Sequence, residues 1–131
     1  MSIVNCRVEN IRPKYANLKE WMDDCNNVYI ARANVVFIDK ERFPKQSSKF
    51  ANPFKIGKHG TRDEVIDKYN DWMKERLNND VELRAEFMQL RGKNLGCWCC
   101  PERCHGSVIL QLLDMYSAAD ALTALMTAST E

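Results

Sequence analysis

The sequence lacks any apolar run approaching the roughly 20 residues that a bilayer span requires, which argues against a membrane protein. Its opening, MSIVNCRVENIRPKY, has no basic stretch followed by an apolar core, so no secretory signal is expected and a cytoplasmic, reducing setting is. An excess of one charge is lacking too. Nineteen Lys+Arg against eighteen Asp+Glu leave +1, so no global field draws the chain to nucleic acid or to a membrane. Neither an internal repeat nor an interdomain linker interrupts it. What is present is 131 residues, 45% hydrophobic and 28% charged, too apolar for a disordered chain and of the size of one compact domain, so a single domain over 1–131 is expected. Six cysteines are the anomaly.

Those cysteines are clustered. Cys6 and Cys25 stand alone and read as small buried hydrophobes, whereas Cys97, Cys99, Cys100 and Cys104 fall within eight residues. A disulfide scaffold spreads its cysteines to close long loops, so the cluster suits metal ligands or reactive thiols better. Charge is clustered as well. Residues 40–60 hold six bases (Lys40, Arg42, Lys45, Lys49, Lys55, Lys58) and one acid, Glu41, a balance of +5 against −4 for the other thirteen bases and seventeen acids. With Pro44, Pro53, Gly57 and Gly60 as breakers, this segment reads as a basic loop, either simply solvated or anion-binding.

Residues 2–8 alternate as a short strand, and residues 15–24 suit a short helix bearing Leu18 and Trp21. Residues 27–32 and 34–39 are β-branched and aromatic, forming one long strand or a tight pair. Thr61-Arg62-Asp63-Glu64 is a capping box ahead of Val65, Ile66, Tyr69, Trp72, Met73 and Leu77 at helical spacing. Asn78-Asn79-Asp80 ends that helix and caps another bearing Leu83, Phe87 and Leu90. Residues 93–99 read as a buried strand and residues 107–125 as a helix, with 117–131 an extension of it or a frayed tail. Strands alternating with helices predict a small α/β layered domain, Rossmann-like, whose crevice lies at the carboxyl ends of the strands.

The passage from strand to helix is Gly96-Cys97-Trp98-Cys99-Cys100-Pro101-Glu102-Arg103-Cys104-His105-Gly106. Cys97, Cys99, Cys104 and His105 supply the four donors of a tetrahedral zinc site, although the spacing is not C-x2-C. Alternatively, Cys104 and His105 are catalytic: a helix N-terminus lowers a thiol's pKa, and the amides of Gly106, Ser107 and Val108 would meet an anion. Plain burial is the bland reading, first of all for Cys100. Arg32 ends a predicted strand, where it is either a phosphate or carboxylate clamp or simply a strand-end charge.

Several blocks occur in a known order. They are Val28-Tyr29-Ile30-Ala31-Arg32, Ser48-Lys49-Phe50-Ala51-Asn52-Pro53-Phe54, Gly57 with Gly60-Thr61-Arg62, and Arg91-Gly92-Lys93-Asn94-Leu95-Gly96-Cys97-Trp98-Cys99 with Pro101 and Cys104-His105-Gly106. Together they resemble the domain-of-unknown-function family numbered 4326, found in bacteria, phages and large DNA viruses. The family has glycine at Ala31, tryptophan at Phe50 and an acid at Ser107. The closing block is also similar to the family numbered 488. Neither resemblance implies an activity.

Two functions fit. In the first, Arg32, Ser48, Lys49, Asn52, Lys55 and Arg62 hold a nucleotide-like or otherwise phosphorylated ligand, with Cys104 and His105 at the reacting centre. In the second, a zinc-stabilised, non-enzymatic module binds nucleic acid or protein through the basic loop. The chain lacks the aromatic–basic interleaving of single-strand binders, which favours the first.

Overall fold

The structure, a computed structural model, describes residues 2–99 and 102–129. Three strands, β1 (Ser2–Asn5), β2 (Asn27–Tyr29) and β3 (Asn94–Cys97), form a parallel sheet in which β3 lies between the other two. Parallel neighbours need crossover connections, and helices supply them. The short helices α1 (Val8–Ile11) and α2 (Leu18–Asp23) connect β1 to β2. The longer α3 (Arg62–Asn79) and α4 (Val81–Met88) precede β3, and α5 (His105–Ser129) follows it. A two-stranded antiparallel hairpin, β4 (Val36–Ile38) with β5 (Glu41–Phe43), stands apart from the sheet.

The central strand β3 decides how the layers meet. Leu95 and Cys97 point into a core shared with Ile66, Tyr69 and Met73 of α3, Phe87 of α4, and Ile109, Leu112 and Leu113 of α5. Gly96 points the other way, toward Cys6, Leu18 and Trp21. A methyl group there would stand 2.5 Å from Cys6 Sγ and from Trp21 Cη2, so glycine lets the indole approach the strand closely. The chain is thus a small α/β domain, with its sheet flanked by helices on both faces.

The helix ends follow the sequence. Thr61 accepts from the Glu64 amide while Glu64 accepts from the Thr61 amide, completing the expected box. Asp80 caps α4 through the Leu83 amide.

Several expectations need correction. The first strand does not reach Val8: the Cys6 amide still bonds Cys97 O at 2.9 Å, but the Asn5 side chain then captures the Arg7 amide and the chain enters α1. Residues 27–39 are neither one strand nor a tight pair. β2 ends at Tyr29, Asn34 turns the backbone at φ 61°, and β4 pairs with β5, inside what reads as the basic loop. Asp39 and Lys40, at φ 52° and 68°, form the two-residue hairpin turn. Cys25 is exposed, not buried; the expectation for Cys100 lies outside the described residues.

Residues 117–129 continue α5 as helix, with residues 118–126 exposed. By length and composition His105–Met126 of α5 is apolar enough to cross a membrane, with Asp114 and Asp120 as its only acidic residues and no Lys or Arg. Its first half, through Val108, Ile109, Leu112, Leu113 and Tyr116, is core.

Candidate functional site

The carboxyl ends of β2 and β3, the start of α5 and the segment 52–66 surround a cavity of about 250 Å³. Its walls are largely apolar, from Val35, Phe54, Ile56, Val65 and Trp98. Its polar groups are Arg32, Asn52, Arg62, Arg103 and His105, and among the described residues no carboxylate lines it. A second cavity of about 310 Å³ adjoins it, sharing Arg32 and Asn52 and adding Ser47, Ser48, Lys49, Lys55 and Arg76. The expected site residues thus converge on two neighbouring cavities.

Arg32 stands between them on a backbone tied down from several directions. His105 Nε2 meets the Ile30 carbonyl at 2.6 Å, and the Ser48 amide donates to the Ala31 carbonyl at 3.0 Å. The Tyr29 hydroxyl donates to the Arg32 carbonyl at 2.8 Å and itself accepts from Trp98 Nε1 at 2.7 Å. The Ala33 amide donates to Ser47 Oγ at 2.9 Å. The Arg32 guanidinium, by contrast, is exposed and makes no hydrogen bond or ion pair among the described residues. Fixed backbone with an uncommitted cation is the arrangement of an anion clamp.

The other expected ligand-binding side chains are mostly engaged. Lys49 pairs with Glu86 at 2.9 Å, and Ser48 Oγ accepts from the Phe50 amide at 3.1 Å. Asn52 donates to the Val65 carbonyl and accepts from the Phe54 amide, so its amide group fixes the loop. Arg62 bonds Glu102 at 2.6 Å, the Arg103 carbonyl at 3.0 Å and the Cys99 sulfur, and the last is the largest cause of its raised pKa. Lys55 uses its backbone amide on His59 Nδ1, which leaves its ammonium to solvent. His59 is therefore a loop-closing residue, packed edge-on against Phe54.

The Cys/His junction differs in detail from its sequence reading. Cys97 and Cys104 bring their sulfurs to 3.5 Å, and the Gly106 amide donates to Cys104 Sγ at 3.3 Å. The Ser107 amide is taken by the Cys104 carbonyl, so these two amides do not face an incoming anion. The hydrogen-bonded Cys97 thiol, then burial, push the Cys104 thiol up, against the Gly106 amide, which acts in the expected lowering direction. Burial, joined by the charge of Arg32 and opposed by the Ile30 hydrogen bond, lowers the pKa of His105 and favours the neutral ring; with Nε2–H on Ile30, its Nδ1 carries the lone pair. Cys6, behind the sheet, is pushed up to about 12 by burial.

Tetrahedral zinc requires four donors. Among the described residues no group of three or more His, Cys, Asp or Glu is placed to hold a metal. Cys97 and Cys104 meet, while Cys99 goes to Arg62 and His105 Nε2 to Ile30. Arg103, Trp98, Phe54 and Arg76 were not legible as cavity residues. Only the position of Arg103 beside Cys104 and of Trp98 between two cysteines hinted at it.

A small parallel sheet with helices on both faces and a cavity at its strand ends defines an α/β domain with a Cys/Cys-His junction. The chain belongs to the family described as Domain of unknown function (DUF4326), which matches residues 14–115. It is similar to "Uncharacterized protein R718" of Acanthamoeba polyphaga mimivirus, 33% identical over 81 residues, 56% of this chain and 58% of that protein. It is also similar to "Uncharacterized 12.4 kDa protein in nrdA-td intergenic region" of Enterobacteria phage T4, 32% identical over 60 residues, 45% of this chain and 56% of that one. The chain therefore spans somewhat over half the length of these curated relatives. No solved structure matches it.

Proposed function

We propose that this domain binds a small phosphorylated, nucleotide-like ligand at the cavity beside Arg32. The observation that carries the reading is the uncommitted Arg32 guanidinium, on a fixed backbone, at the mouth of an apolar cavity that no described carboxylate lines. An anionic group would sit on Arg32, with Lys55 within the adjoining cavity, while Phe54, Ile56 and Trp98 offer apolar walls to a ring. Location at the carboxyl ends of parallel strands is where open α/β sheets take ligands. Chemistry on that ligand would fall to Cys104 and His105, which line the same cavity, with His105 Nδ1 as the ring nitrogen able to accept a proton. His105 also positions Arg32 through Ile30.

A nucleic-acid reading of the 40–60 segment has less support. Lys45 and Lys49 are neutralised by Glu41 and Glu86, and Arg42 stacks on Phe37, so the +5 balance does not form one open basic face. A thermal-shift screen of nucleosides, nucleoside phosphates and sugar phosphates tests the proposal. Phosphorylated members should raise the melting temperature and their unphosphorylated counterparts should not. A panel with no shift, or an equal shift from both sets, overturns it.

A further inference from the structure

The geometry points to Cys97 and Cys104 as a redox-active pair that forms a reversible disulfide on the cavity wall by exchange with a low-molecular-weight disulfide. Their sulfurs are already in contact at 3.5 Å, against about 2.05 Å for the bond. Both residues line the cavity, and each is otherwise buried from bulk solvent. Cys6 packs behind the sheet among Trp21 and Leu18 and does not line that cavity. Cys99 lines the cavity too, but its sulfur accepts from Arg62.

Sequence separation argues for a signal over a staple. A bridge between Cys97 and Cys104 closes a very short loop, so it removes less chain entropy than a bridge across a long loop. What it changes is local. The enclosed segment carries Trp98, Cys99 and Arg103, all cavity residues, and Trp98 holds the Tyr29 hydroxyl that fixes the Arg32 carbonyl. Drawing Cys104 toward Cys97 also pulls its sulfur from the Gly106 amide at the start of α5.

The exchange balances in two displacements. One thiol of the pair loses its proton, and its thiolate attacks a small disulfide, R–S–S–R, to form a mixed disulfide. One RS⁻ leaves and takes up a proton. The second thiol, deprotonated in turn, attacks the first protein sulfur, forms the Cys97–Cys104 bond and releases the second RS⁻, which is protonated. The protein dithiol is oxidised by two electrons and the small disulfide is reduced to two thiols. The reading is independent of any ligand assignment.

The test is titration of the full chain with oxidised glutathione, followed by acid quenching, alkylation and peptide mapping, with metal content measured on the starting protein. The expected result is a Cys97–Cys104-linked peptide that grows with oxidant and is lost on adding dithiothreitol. Cys97→Ser and Cys104→Ser should each abolish the link and leave glutathione on the surviving partner, whereas Cys25→Ser should form it as wild type does. Mapping of the wild type decides the matter even where a variant folds poorly. The proposal is overturned if both thiols still alkylate freely once exposed Cys25 is fully modified. It is equally overturned by a stoichiometric bound metal whose removal is needed before either thiol reacts.

Discussion

His105 joins two roles that the sequence alone cannot separate. Its place beside Cys104 suggests a catalytic or ligating imidazole, yet Nε2 is spent on the Ile30 carbonyl, and burial lowers its pKa below the usual 6.5. The sign of the pH effect follows. Between that depressed value and 6.5 the unfolded chain binds a proton that the folded chain refuses, so stability present above 6.5 is lost as pH falls. The slope contributed by this one group can approach about 1.4 kcal/mol per pH unit. His105→Gln, which retains a donor for Ile30, should flatten it; chemical denaturation across mildly acidic pH measures both. Gly96 supplies a second residue-scale prediction. With Cys6 Sγ and the Trp21 ring each 2.5 Å from the position of a new methyl, Gly96→Ala should cost about 1–3 kcal/mol or more in denaturant melts.

Elements whose signals are local were readable in the sequence. The capping box at Thr61, the apolar spacing of α3, the Asp80 cap and the strand over Asn94–Cys97 all lie within a few residues of the groups that cause them. Thr61→Ala should therefore cost about 1 kcal/mol, seen as a lower melting temperature with cavity residues unmoved. The hairpin escaped because its turn is Asp39-Lys40, not a glycine-bearing pair, and its second strand hides among lysines and arginines. The cavity was half legible for a different reason. Arg62 and His105 open α3 and α5 and Arg32 follows β2, positions that topology marks, but Phe54, Ile56 and Arg76 reach the cavities only through tertiary folding of 44–61 against α3. Sequence chemistry could propose Asn52 and Lys49 as ligand contacts; only packing shows them bonded within the protein.

At the scale of the molecule, three parallel strands place three thiols, an imidazole and three arginines around one cavity, while most of the remaining mass secures the two faces of the sheet. The second half of α5 is the exception. Residues 118–126 are exposed, and Arg84 pairs with Asp120 there at 2.7 Å, a surface contact of small value. Asp120→Ala, which removes that pair, should change stability by no more than about 1 kcal/mol, which a melting curve beside the wild type checks. The central claim is a phosphorylated ligand held by Arg32, and isothermal titration of the strongest ligand from the thermal-shift panel into wild type and Arg32→Ala tests it most directly. Loss of a charge-assisted contact of about 1.5–3 kcal/mol predicts binding weakened by roughly tenfold or more, with the variant's fold intact. Equal affinity in the two proteins would contradict the account.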